Sequence, residues 1–168
     1  ALTELGPTFI KLGQILSTRP DLIGVELAEE LKSLQTEVPA DAPPLVRTHI
    51  EGSFKKPIPD IFATLDDAPI ASASIGQTHR ATLKDGRPVV VKVRHIGVAH
   101  KVQVDLEILL DLAALVEARI EESRYYRPRD FVEQFRQSLL RELDFRHEAR
   151  NLEQFIERDW RRSTRLDR

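Results

Sequence analysis

Leu2, Leu5, Phe9, Leu12 and Leu16 recur at the three-four spacing of one helical face, and the run stops before Arg19-Pro20. This predicts a helix over residues 4–18. A second helix fits 26–36, with Leu27, Leu31 and Leu34 on one face and Glu26, Glu29, Glu30 and Lys32 opposite. The proline-rich stretch 38–44 breaks regular structure, and Asp41 stands as an N-cap for a short helix that runs to Glu51 and closes at Gly52. After Pro57 and Pro59 the period changes to two. The stretches 72–83 and 87–93, either side of Lys84-Asp85-Gly86, predict a β-hairpin. From Gly97 the helical period returns over Val98, Val102, Leu106, Leu109, Ala113, Val116 and Ile120, giving a helix over 97–122. Tyr125-Tyr126-Arg127-Pro128 interrupts, and a last helix is expected over 128–158 through Phe131, Phe135, Leu139, Leu143 and Phe155.

Composition narrows the class. The 168 residues are 41% hydrophobic and 31% charged, which suits one folded domain and excludes a disordered tail, a collagen-like fibre or a disulfide scaffold. With no Cys, thiolate metal sites and catalytic thiols are excluded too. There is no Met and the chain opens at Ala1, so an excerpt of a longer protein is expected. The net charge of −2 is spread evenly, with 8 basic against 11 acidic residues through Lys84 and 17 against 16 thereafter. Such a balance attracts no nucleic acid. Arg161, Arg162, Arg165 and Arg168 around Trp160 form the one local basic excess, read as a solvated chain end rather than a lipid or nucleic-acid patch. No apolar run approaches the ~20 residues of a membrane span, and no signal-peptide pattern opens the chain.

Three features carry candidate chemistry. In Phe9-Ile10-Lys11-Leu12-Gly13-Gln14, Lys11 and Gln14 share a helix edge, and Gly13 permits close approach of another backbone. Taken alone, K-x-G-Q is better read as a solvated Lys and a packing Gly. In the stretch 70–77, Ala71, Ser72, Ala73 and Ser74 are small residues at the mouth of the hairpin, where backbone N–H groups and hydroxyls hold an anion or simply make a turn. About twenty residues on, Lys92 sits inside the apolar strand 89–93. It either points to water or needs an anion in a low-dielectric site. Third, the last helix carries Glu142, Asp144 and Glu148. On a continuous helix Glu142 and Glu148 lie about 120° apart and serve two different cations. Asp144 and Glu148 form a like-charge i, i+4 pair that Arg141, Arg146 and Arg150 can neutralise. His79, His95 and His100 lack ligand spacing and His147 adjoins Glu148, so zinc is not expected.

A small-residue hairpin, a strand Lys and a helix Glu in this order follow the N-lobe logic of a protein kinase, without its G-x-G-x-x-G loop. That combination resembles the UbiB/ADCK family of atypical kinases, also called the AarF or coenzyme Q protein family. The resemblance covers nearly the whole chain, from Leu5 to Asp159. Lys11-Leu12-Gly13-Gln14 is similar to the family's K-x-G-Q signature, and 71–74 to its alanine-rich replacement of the glycine loop. Lys92 resembles the strand lysine, Glu142-Leu143-Asp144 the E-x-D motif, and Glu148 the helix Glu paired to that lysine.

The resemblance implies an α+β fold: a protein-kinase-like N-lobe with a small antiparallel sheet, a K-x-G-Q helical extension over 1–63, and an N-lobe over 64–168. Inserted helices at 97–122 precede an αC-like helix at 128–158, the C-lobe is absent, and the whole is one incomplete domain. It further implies ATP or ADP with Mg, bound through Lys92 and residues 71–74, with Glu148 orienting Lys92. Lys11, Gly13, Gln14, Glu142 and Asp144 would form an inhibitory gate against protein substrates. No metal ligand falls in this fragment, because the family's metal-binding residues belong to the missing C-lobe, so the fragment alone is expected to be inactive. The implied role is atypical kinase or ATPase support of ubiquinone or isoprenoid-lipid biosynthesis. Implied partners are an isoprenoid lipid or quinone precursor, the membrane surface and a second copy in the complete protein; the implied location is cytoplasmic, peripheral to the inner membrane. The rival readings are a nucleotide-binding pseudokinase that serves as scaffold or lipid-handling module, and a plain helical interaction domain. Two departures from the family pattern stand out. Ser72 replaces a more usual Ala and would place a hydroxyl beside the phosphates; Ile96 replaces a Pro and would loosen the turn after Lys92.

Overall fold

The computed structural model describes residues 5–32, 38–146 and 148–150. Helix α1 (Pro7–Ser17) begins three residues later than the hydrophobic period suggests, because Gly6 takes φ 104° and Pro7 starts a new helix that needs no N–H partner there. A short α2 (Pro20–Ile23) leaves no periodic signal in the sequence; it follows from Pro20 at a helix start, with Gly24 ending it. Helix α3 (Val25–Lys32) agrees with the second expected helix as far as residue 32, and positions 33–37 lie outside the described residues.

Helix α4 (Pro43–Phe54) corrects the reading of Asp41. Its N-cap is Ala42, with no side-chain capping bond, since Pro43 and Pro44 remove two of the donors a cap would satisfy. Gly52 lies inside the helix, which ends instead at left-handed Lys55. After α5 (Ile58–Ile61) come four strands, β1 (Phe62–Leu65), β2 (Ala71–Ser72), β3 (Gly76–Leu83) and β4 (Pro88–Arg94). Strand alternation predicts the hairpin β3–β4 but neither β1 nor β2. Both pair antiparallel with β3 on the edge opposite β4, β1 along its C-terminal half and β2 along its start. β1 begins at Phe62, and α4 and α5 share a core with the sheet.

Two cores hold these elements. Val46, Ile50 and Ile58 pack with Phe62, Leu65, Ala81 and Val93 on one face of the sheet. On the helical side, Ile75 meets Val98, Val102 and Leu106 of α6 (Val98–Arg119) and Phe135, Leu139 and Leu143 of α7 (Pro128–Leu143). Gly97, left-handed at φ 74°, starts α6 as the sequence suggests, and a 3-10 turn (Glu121–Tyr125) leads into α7. The single helix expected over 128–158 is broken. It ends at Leu143, Asp144 turns the chain at φ −93° and ψ 88°, and helical backbone resumes at 145–146 and 148–150. The Asp144 carboxylate accepts the Arg146 N–H at 3.1 Å, so it caps the new turn in the manner of an N-cap. Residues 151–158, and the arginines around Trp160, lie outside the described residues.

Candidate functional site

Alternation along β4 decides where Lys92 points. Val93 is buried in the sheet core, so Lys92 takes the opposite face, toward α7. There Lys92 Nζ donates to Glu148 Oε2 at 2.6 Å and stands 4.7 Å from the centre of the Phe145 ring. The lysine is thus neither free in water nor buried alone. A carboxylate and an aromatic face share its charge, and its side chain keeps 42% exposure, leaving room for a further anion.

A second ion pair lies on the same cavity. Lys11 of α1 meets Glu142 at the end of α7, and its side chain is only 22% exposed. The expectation that Glu142 and Glu148 serve two lysines therefore agrees with the geometry, though for a different reason. The two glutamates lie on either side of the break at Asp144, so their divergence comes from that turn and not from 100° steps along one helix.

The cavity has a volume of about 880 Å³ and is bordered by Lys11, Gln14, Ala73, Ser74, Lys92 and Asp144, among others. Its floor is the narrow crossing at Gly76, where an added Cβ would lie 2.4 Å from the Val93 carbonyl oxygen and 3.2 Å from Phe145. Gly76 therefore sets how closely loop, strand and Phe145 approach.

The structure moves four residues from the places their sequence pattern suggests. Ala71 and Ser72 belong to β2, paired with Thr78 and Gln77, and do not border the cavity; only Ala73 and Ser74 of that quartet do. The Ser72 hydroxyl lies 3.5 Å from His95 Nε2 rather than beside the cavity. Gly13 is buried in α1, away from the lining. Ile96 does not loosen the turn after Lys92, because its N–H, which a proline would lack, donates to Asp41 Oδ2 at 3.2 Å.

Sequence reasoning misses Phe145 and Ser138 and reads Arg141 only as a neutralising charge; all three are on the cavity wall. Phe145 has a signal, standing three residues before Glu148 as an aromatic next to the acidic motif. Also missed are Asp41, His95, Gln77 and His79, whose bonds join positions far apart in sequence. Asp41 N–H donates to Gln77 Oε1 at 2.7 Å, so the Gln77 amide nitrogen donates to His79 Nε2 at 2.7 Å, and His79 Nδ1–H donates to the Asp66 carbonyl at 2.8 Å. Gln77 and His79 are fully buried, and every partner in the series is satisfied.

Among the described residues no group of three His, Asp or Glu side chains is arranged to hold a metal ion. No helix there is long and apolar enough to cross a membrane.

Residues 33–164 match the family described as the ABC1 atypical kinase-like domain. The chain is 45% identical over 152 residues to a "Probable protein kinase UbiB" of Shewanella baltica (strain OS185), covering 90% of this chain and 28% of that relative. A protein of the same name from Shewanella oneidensis is 43% identical, with the same coverage. The chain thus spans little more than a quarter of the length of these curated relatives. Among solved structures it resembles the Mycobacterium tuberculosis protein Rv3197, described in complex with erythromycin. The TM-score is 0.57 at 27% identity, over 88% of this chain and 36% of that one.

Proposed function

Since the chain belongs to the ABC1 atypical kinase-like family, with an α+β kinase-like N-lobe, we propose that it is the nucleotide-binding part of a UbiB-like kinase or ATPase. The observation that carries this reading is Lys92, held 2.6 Å from Glu148 on the wall of a cavity that the small residues Ala73 and Ser74 also line. A lysine ammonium oriented by a helix carboxylate meets the phosphates of a nucleotide as a point charge, and small side chains let the loop backbone come near them. The cavity volume suits a small-molecule ligand.

The described residues fit the nucleotide better than its metal. Glu142 and Glu148 are each engaged by a lysine, and Asp144 stands between them, so no cation site is assigned to this part of the protein. The nucleotide supplies the transferable phosphoryl group; Lys92 orients its phosphates, and Glu148 holds Lys92. Lys11 bound to Glu142 closes the same cavity from the α1 side and acts as the gate against protein substrates. The relatives' name and the family resemblance support a role in ubiquinone or isoprenoid-lipid biosynthesis at the inner-membrane surface.

The test is ADP binding to the chain by isothermal titration, with and without Mg²⁺. Lys92→Ala is expected to weaken binding about tenfold or more, the loss of one charge-assisted phosphate contact. Urea unfolding should change by less than about 1 kcal/mol, because the Lys92–Glu148 pair is half exposed. Equal ADP binding by both proteins would refute the reading.

A further inference from the structure

His95 follows β4 and reaches two acceptors at once. Its Nδ1 lies 2.8 Å from Asp41 Oδ2, in the segment before α4, and its Nε2 lies 2.9 Å from the Ala73 carbonyl oxygen. A carbonyl only accepts, so Nε2 carries a hydrogen. Asp41 Oδ2 also accepts from the Ile96 N–H, as a carboxylate does, so Nδ1 carries one too. Both nitrogens donate, and the ring is an imidazolium. His79 is the opposite case, a neutral ring that donates at one nitrogen and accepts at the other. The loop between β2 and β3 is bound to this ring and its backbone, since His95 N–H also donates to the Ile75 carbonyl at 3.0 Å.

We propose that His95 is the positioning residue of the cavity loop: as an imidazolium clamped between Asp41 and Ala73 it fixes residues 73–75 against the nucleotide cavity, and loss of its proton loosens the loop at Ala73 while the backbone bond to Ile75 remains. The clamp itself stands on the hydrogen bonds; its effect on ligand binding rests on the nucleotide reading above. The charged groups facing His95 are Asp41, from the segment before α4, and Lys101 of α6, which lines the same small cleft together with Pro7 of α1 and Ser74 of the loop. Without its proton one ring nitrogen must accept; neither the carboxylate nor the carbonyl can donate to it, and an Nε2 that accepts from the Ser72 hydroxyl, 3.5 Å away, gives up Ala73. One of the two bonds is then lost.

The test combines side-chain ¹⁵N spectra with amide hydrogen exchange on the 168-residue chain. At pH 6 both His95 ring nitrogens should carry protons, and the amides of 73–75, corrected for intrinsic exchange, should be roughly tenfold more protected than at pH 9, the worth of one charge-assisted bond. His95→Gln keeps a donor for only one partner, so its loop should exchange fast at both pH values. Asp41→Asn keeps an oxygen for His95 and Ile96 but removes the charge, so at pH 7 its loop should exchange like the wild type at high pH. A single neutral tautomer of His95 at pH 6, or a loop whose protection ignores pH or survives His95→Gln, would overturn the proposal. ADP titration at both pH values separates it from the functional reading. Affinity is expected to follow loop protection; a loop that responds to His95 in a chain that binds no ADP leaves the clamp standing and removes the nucleotide.

Discussion

At the residue scale, two glycines have opposite meanings. An added Cβ at Gly76 meets the Val93 carbonyl at 2.4 Å, and backbone on both sides leaves nowhere for it to go. Gly76→Ala should therefore lower stability by about 1–3 kcal/mol, measured by urea unfolding, and displace Phe145 from beneath Lys92. Gly52, inside α4 with open space around it, should behave in the reverse sense. Gly52→Ala is expected to raise stability by about 0.5–1 kcal/mol, since alanine gives up less backbone freedom in a helix. Lys11, Lys92, Glu142 and Glu148 are readable at this scale as members of short motifs, each within its own segment. The bond of His95 to Asp41 is not, because its partner stands 54 positions away.

At the element scale, the hairpin turn and the α7 break show what local sequence decides. Asp85 turns the chain between β3 and β4, accepting from the Arg87 N–H at 3.1 Å and from its guanidinium at 2.7 Å. The Arg87 backbone bond first, then the guanidinium, hold the Asp85 carboxyl below the ordinary carboxylate range. A carboxyl with a lowered folded value contributes stability that is present above the unfolded value and lost as pH falls through the folded one. An NMR titration of the Asp85 carboxyl should thus inflect below that of an unfolded Asp, and the turn should loosen only at acid pH. Lys84-Asp85-Gly86 marks that turn in the sequence. The break after Leu143 carries no such mark, since Asp144 also suits an exposed helix position. Only the core, which takes Leu143 inward and leaves the next turn free to carry Glu148 toward Lys92, selects it.

At the scale of the whole molecule, the cavity exists because α1 is anchored to helices nearly a hundred residues later. Thr8, fully buried, donates from Oγ1 to Asp105 Oδ2 of α6 at 2.5 Å, and Lys11 one turn on reaches Glu142. Thr8→Val removes the donor and leaves Asp105 short of a partner. It should lower stability by about 1–3 kcal/mol and make α1 the first segment cut in limited proteolysis, while the sheet stays protected. Helix period, strand alternation and the order of the motifs were determined by the sequence alone, because they rest on interactions within a few residues of one another. The family was legible from the order of its motifs, whereas the pairing of each lysine with its own glutamate, across 56 positions for Lys92 and Glu148, was implied by the family resemblance and not by local spacing. Tertiary structure decided which of the small residues 71–74 face the cavity, where the last helix breaks, and that Asp41 binds His95 instead of capping α4. Each depends on a partner brought near only by folding, and a hydrogen bond between positions 41 and 95 leaves no periodic trace in either segment.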